Sequence, residues 1–321
     1  MSLAEFEIIA KYFAAQAGER TDVALGIGDD AAVLDVDPDR KLVLAMDTIV
    51  AGVHFLEDAD PFDIGYRALA VNLSDLAAMG AVPSWMALSL SMPAADERWL
   101  ERFAAGLFEL ARAHDVHLIG GDTVRGPLVV TVQVGGWVEN DRWLTRDGAR
   151  AGDALFVSGV PGEAAAGLAL LREHAASGAA VEHLRARFLR PEPRIALGRA
   201  LRTRASAAMD ISDGLLTDLH KLCAASGCGA RLEVERLPVS PAASERFDEE
   251  AWLSFALGGG DDYELLFTIP AAHAAELDSK TLEGIGVCRI GVMTESRTVE
   301  CFHRGQPFVP ASTGYDHFAK P

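Results

Sequence analysis

The sequence predicts an α/β chain of two domains, and three observations carry that prediction. Strand-like stretches rich in β-branched residues alternate with stretches of helical periodicity. Aspartates recur embedded in apolar or glycine-rich sequence, away from the charged surface stretches. After the turn-rich passage "RDGARAGD" (146–153) the alternation starts afresh, which sets a boundary near residue 150 and gives domains 1–150 and 151–321.

Taken in order, the opening "MSLAEFEIIAKYFAA" (1–15) reads as an amphipathic helix with Phe6, Ile9 and Phe13 on one face. Residues 23–34 read as strand around the turn "GIGDDAAVL" (26–34). Gly26, Gly28 and Ala31 fit the G-x-G-x-x-A dinucleotide fingerprint. Asp29 and Asp30 would repel a pyrophosphate, however, and residues 31–36 lead to Pro38 as a second strand, not a helix. Residues 41–50, 86–92, 116–119 and 128–138 are strand-like, and 61–79 and 96–114 are helical, with Asp60 capping the first helix ahead of Pro61 and Gly80 ending it. The second half offers a strand at 154–158, helices near 162–174, 193–202 and 214–225, strands near 207–211, 231–234 and 263–269, and a terminal hairpin about 290–302.

Composition narrows the function. The 321 residues carry 29 Lys plus Arg against 47 Asp plus Glu, a net charge of −18, which argues against a nucleic-acid surface. No apolar stretch reaches the roughly 20 residues of a membrane span, and no basic segment leads into an apolar one near the start. Cys223, Cys228, Cys288 and Cys301 form no C-x-x-C and read as reduced packing residues of a cytoplasmic protein.

The aspartates that matter are Asp29 and Asp30, Asp47 in "LAMDTIV", Asp75 in "NLSDLAAMGA", Asp122 in "LIGGDTV", Asp210 and Asp213 in "AAMDISDGLL", and Asp261 and Asp262 in "GGGDDYELLF". Each has an ordinary reading as a turn acid or helix cap, and Asp213 before "LLTDLHKL" is a good helix start. Asp75 is the exception, three residues from Asn72 on an apolar helix face where an unpartnered carboxylate costs several kcal/mol. Together the acids call for cations. The five lysines, at 11, 41, 221, 280 and 320, lie outside these motifs and are not expected to neutralise them. An all-aspartate set suits Mg²⁺ or Mn²⁺, and Mg²⁺ in turn suits a nucleotide polyphosphate. "DVDPDR" is no EF-hand, since Arg40 and Met46 stand where Gly and Glu are needed. Walker A, H-R-D, D-F-G and G-x-S-x-G sequences are all missing, which excludes P-loop enzymes, protein kinases and the commonest serine hydrolases.

"GIGDDAAVL", "MDTIVAGVHF", "NLSDLAAMGA", "GGDTVRG", "DISDGLLTDL", "GGGDDYELLFT" and "GYDHF" succeed one another along nearly the whole chain. In this it resembles the thiamine-monophosphate kinase family, of the superfamily that also holds aminoimidazole ribonucleotide synthetase and selenophosphate synthetase. The resemblance implies ATP-dependent phosphorylation of thiamine monophosphate. It also implies the aminoimidazole ribonucleotide synthetase-like two-domain fold, with ATP and metals in the interdomain cleft and N-terminal sheets pairing across a homodimer. Asp30, Asp47, Asp75, Asp122, Asp210 and Asp213 would hold several Mg²⁺ ions, with the backbone carbonyls of Ala45 and Met46, where the family often has hydroxyl residues. Gly121, Asp122, Arg146 and Ser212 would contact ATP. His54, Glu264 and Tyr315 would contact the thiamine phosphate, with Tyr315 where tryptophan is frequent. The alternatives are another ATP-dependent enzyme of the superfamily and a non-catalytic metal- or nucleotide-binding protein.

Overall fold

A computed structural model describes residues 4–139, 142–277, 281–311 and 314–315. The chain divides into two compact units, Met1–Leu76 with Ala81–Asp141, and Ala77–Gly80 with Arg142–Pro321. The second unit thus takes in a stretch ahead of the boundary expected near residue 150. The cause is local: the Leu144 N–H bonds the Met79 carbonyl, the Thr145 carbonyl accepts from Ala208, and the Ala149 N–H bonds Ser226 Oγ.

In the first unit, helix α1 (Glu5–Ile8) runs on through a π turn (Ile9–Phe13) and a 3₁₀ turn (Ala14–Gln16). Ile8, Tyr12 and Phe13 are buried while Phe6 is 81% exposed. The strand expected over 23–34 is two short antiparallel strands, β1 (Val23–Leu25) and β2 (Val33–Leu34), with the glycine–aspartate turn between them. Next come β3 (Arg40–Val50), α2 (Pro61–Ala78), β4 (Val82–Met92), α3 (Glu97–Ala113), β5 (His117–Arg125) and β6 (Val129–Glu139). Their sheet has the order β3-β6-β4-β5, with β4 and β5 parallel and the other pairs antiparallel. Asp60 Oδ1 accepts the Phe62 N–H at the start of α2, as expected, and Asp96 caps α3 through Trp99. Leu69, Leu73 and Leu76 of α2 are wholly buried, as are Leu90, Val132 and Val134 of the sheet. β3 is one edge of this sheet, and its Leu42, Leu44 and Met46 stand in an exposed row on one face.

The second unit contains β7 (Ala154–Ser158), α4 (Glu163–Arg172), α5 (Ala179–Leu189), α6 (Ile195–Leu201), β8 (Ala207–Asp210), α7 (Leu215–Ser226), β9 (Gly229–Glu233) and α8 (Pro241–Ser244). It continues with α9 (Glu249–Gly258), β10 (Leu265–Ile269), α10 (Ala271–Ala274), β11 (Thr281–Leu282), β12 (Ile285–Thr294), β13 (Val299–His303) and β14 (Gln306–Phe308). The sheet order is β14-β13-β9-β12-β7-β10-β8, with β11 paired to β12. Leu155, Val157, Met209 and Leu266 of the sheet pack with Leu170, Leu184, Leu215, Leu219 and Leu222 of the helices. The hairpin expected about 290–302 is displaced, because β9 lies between β12 and β13. The real hairpin is β13–β14, turned at Arg304–Gly305, where both residues have positive φ, as a type I′ turn needs. All four cysteines are free.

Candidate nucleotide and phosphate-acceptor site

In the first unit the acidic turn and one strand meet at a cavity. Gly26–Ala32 curls between β1 and β2, and Asp29 Oδ1 accepts the Asp30 N–H at 2.8 Å, which shapes the turn. Facing it, β5 presents Gly120, Gly121 and Asp122, and the cavity of about 570 Å³ is completed by Ile9, Phe13 and Leu88. Gly121 has φ +148°, and a Cβ there would sit 1.8 Å from the Leu88 carbonyl oxygen. Only a bare backbone can pass β4 so closely. Asp30 and the neighbouring Gly121 and Asp122, far from it in sequence, therefore line one cavity.

A second pair forms along β3 and α2. The fully buried Asn72 accepts the Asp47 N–H at 2.8 Å and donates to the Ala68 carbonyl at 2.9 Å. Asp75 lies three residues on from Asn72, on the same side of α2. Since the Asp47 N–H turns away from β6, strand alternation turns the Ala45 carbonyl to the same outer edge and the Met46 carbonyl into the ladder with Gln133. Just past β3, His54 Nδ1 accepts the Val50 N–H at 3.1 Å, so the neutral ring carries its proton on Nε2.

In the second unit the "DISD" segment is zipped to the "DDYE" segment. Ile211 donates to the Glu264 carbonyl, Tyr263 donates to the Ile211 carbonyl and Asp261 donates to the Ser212 carbonyl. Asp261 and Tyr263 both hold positive φ, at 70° and 52°, a backbone conformation rare for such side chains. The Tyr315 N–H bonds the Asp213 carbonyl at 2.9 Å, which brings Asp210, Ser212, Asp213 and Tyr315 into one neighbourhood. The Arg146 backbone lies at the opposite end of α7. Its carbonyl accepts from Ser226 Oγ at the far end of α7, and the twelve residues of that helix span ~18 Å.

Sequence reading missed two residues here. Asp218 is fully buried, and its Oδ2 accepts the N–H groups of Ser212 and Asp213 at 3.0 Å each. Lys221 Nζ lies 2.5 Å from Asp213 Oδ2 and 2.7 Å from Asp218 Oδ1. The expectation that no lysine neutralises these motifs is thereby corrected: α7 carries Lys221 two turns along the helix, back over the loop. Burial works against the Lys221 charge, but the two carboxylates hold its ammonium above the ordinary range. The D-x-x-K spacing within "TDLHKL" was the available signal.

Glu264 differs from its expected place in direct contact with substrate. It is wholly buried, with Arg194 bonding both its oxygens (2.7 and 2.5 Å), Arg187 at 2.7 Å and Ser158 Oγ at 2.5 Å. Burial alone would raise its pKa, but the hydrogen bonds and charge of Arg194, with Arg187 and Ser158, carry it below the usual glutamate value. Gly159, at φ +55°, makes room: a Cβ there would fall 2.0 Å from the carboxylate. Asp262 is likewise spent on structure, accepting the N–H groups of Gly162 (2.7 Å) and Ala164 (3.2 Å) at the start of α4.

Among the described residues, no three His, Cys, Asp or Glu side chains gather closely enough to hold a metal by themselves. Mg²⁺ is usually held by one or two carboxylates with waters and substrate phosphates, so these donors fit a metal arriving with a triphosphate better than a resident ion. No helix among the described residues is long and apolar enough to cross a membrane.

Paired acidic loops on two α/β units, without a P-loop, define a protein of the AIR synthase related class. Residues 28–138 match the family described as AIR synthase related protein, N-terminal domain, and residues 150–304 match its C-terminal domain. The thiamine-monophosphate kinase of Escherichia coli (strain K12) is 49% identical over 325 residues, covering 100% of both chains. The crystal structure of thiamine-monophosphate kinase from Stenotrophomonas maltophilia K279a superposes with a TM-score of 0.87 at 45% identity, over 96% of this chain and 99% of that one. AaThiL complexed with AMPPCP and TMP gives a TM-score of 0.78 at 34% identity, over 91% and 92% of the two chains. The chain belongs to the thiamine-monophosphate kinase family.

Proposed function

We propose that this chain transfers the γ-phosphoryl group of ATP to thiamine monophosphate, giving thiamine diphosphate and ADP. The observation that carries the reading is the end-to-end likeness to thiamine-monophosphate kinases, one of which is described in complex with AMPPCP and TMP. The acceptor brings its own nucleophile: a phosphate monoester with a second pKa of ~6 is already ionised at neutral pH, so no general base is needed. The residues instead position two anions in line.

Asp30, Asp47, Asp75, Asp122, Asp210 and Asp213, with the Ala45 carbonyl, are the groups that would hold Mg²⁺. Bound there, Mg²⁺ supplies the positive charge that lets two phosphates approach. Gly121 and Ser212 offer backbone and hydroxyl contacts to ATP, and Arg146 a guanidinium. His54, through its Nε2–H, and Tyr315 face the thiamine phosphate. Glu264 acts from beneath, fixing Arg187 and Arg194. The exposed row Leu42, Leu44 and Met46 supports pairing of N-terminal sheets in a homodimer. Four free cysteines and ATP as co-substrate support a cytoplasmic setting. Phosphorus NMR of the protein with ATP, Mg²⁺ and thiamine monophosphate should show a diphosphate ester and ADP growing together. Nucleotide turnover without an acceptor product, or no turnover, overturns the proposal.

A further inference from the structure

One ammonium serves two carboxylates that differ in what they can release. Asp218 is fully buried, while the side chains of Asp213 and Lys221 keep 34% and 39% of their exposure. Losing Lys221 would leave Asp218 with only the two backbone N–H groups on its other oxygen, a costly state for a buried charge. Asp213 keeps its solvent access and can change partner. We propose that Lys221 is a positioning residue: it holds Asp213 as a resident counter-ion, and the divalent cation that accompanies the nucleotide displaces it from Asp213 but not from Asp218. In the exchange the Nζ···Oδ2 contact of Asp213 breaks and a metal–oxygen contact forms, and the lysine keeps its proton. Lys221 thereby weakens capture of a bare metal ion and keeps the loop in shape between turnovers. This role rests on the proposed function of Asp213 as a metal ligand.

The test is Mn²⁺ binding, monitored by electron paramagnetic resonance on the full chain with AMPPCP present. K221M should bind Mn²⁺ roughly three- to tenfold more tightly than the wild type, because the competing cation is gone. K221R should stay within about twofold of the wild type, the charge being kept. A lysine with only a structural role would instead give unchanged or weaker Mn²⁺ binding in K221M, and that result overturns the inference. Should K221M not fold, the wild type decides. With only five lysines in the chain, ¹³C-dimethylation gives a short, assignable set of signals. The Lys221 signal should move when Mg²⁺ and AMPPCP are added together, and a static signal under saturating ligand overturns the inference. D213N separates the two levels. If it leaves Mn²⁺ affinity unchanged, the metal-ligand reading of Asp213 fails and this inference with it; if it weakens binding while K221M does not tighten it, only the role of Lys221 fails.

Discussion

Glu264 shows how a residue that resemblance places on the substrate can be committed to the frame instead. Its carboxylate is the meeting point of Arg194, Arg187 and Ser158, with no surface left open. Because its folded pKa lies below the unfolded value of ~4.3, it adds stability above that pH, and the contribution is lost as pH falls through the folded value. E264A should cost about 3–5 kcal/mol, since the buried Arg194 and the half-buried Arg187 lose a shared partner. E264Q should be less stable than the wild type at neutral pH and should show a flatter acid limb. Urea unfolding at a series of pH values below neutral checks both, and an unchanged acid limb in E264Q would remove the ion pair from the account. The acids at 30, 47, 75, 122, 210 and 213 stand out in the sequence because a carboxylate in apolar or glycine sequence is anomalous by itself. Asp218 and Lys221 do not, because an acid and a base three apart on a helix look like an ordinary surface pair.

At the scale of elements, α4 starts without a local cap: Gly162 holds its N-cap position and offers no side chain. The missing acceptor comes from Asp262, a hundred residues further along the chain, which takes the N–H groups of Gly162 and Ala164. D262A should therefore destabilise the protein by about 1–3 kcal/mol, and D262N, which keeps an acceptor oxygen, by clearly less. Equal losses in the two variants, measured by urea denaturation, would show that the cap is not the cause. Local rules found helices α2 and α3 because their caps and breakers, such as Asp60, Asp96 and Gly80, stand beside them, whereas α7 starts at Gly214 with no side-chain cap and Asp213 does not supply the one expected. The same rules missed α5 and α9. The position of β9 between β12 and β13 was also beyond them, since adjacency of distant strands is decided by which apolar faces fit, here Ala230 and Leu232 in the buried sheet.

The whole molecule carries a charge of −18. Ligand that binds only the native state stabilises it by mass action, so Mg²⁺ with AMPPCP at about a hundredfold over Kd should add roughly 2.7 kcal/mol. A thermal melt should rise accordingly, and EDTA should remove most of the gain; AMPPCP alone giving the full shift would detach the metal from the site. The quartet Ala77–Gly80 has a different kind of consequence. It lies far upstream yet belongs to the second unit, where the Met79 carbonyl receives the Leu144 N–H. The two modules are therefore interleaved along the chain and are not a simple head and tail. A genetic crossover that swapped everything beyond residue 141 between two distant relatives would hand the incoming half a foreign quartet, so surviving lineages should carry both halves from a single ancestor.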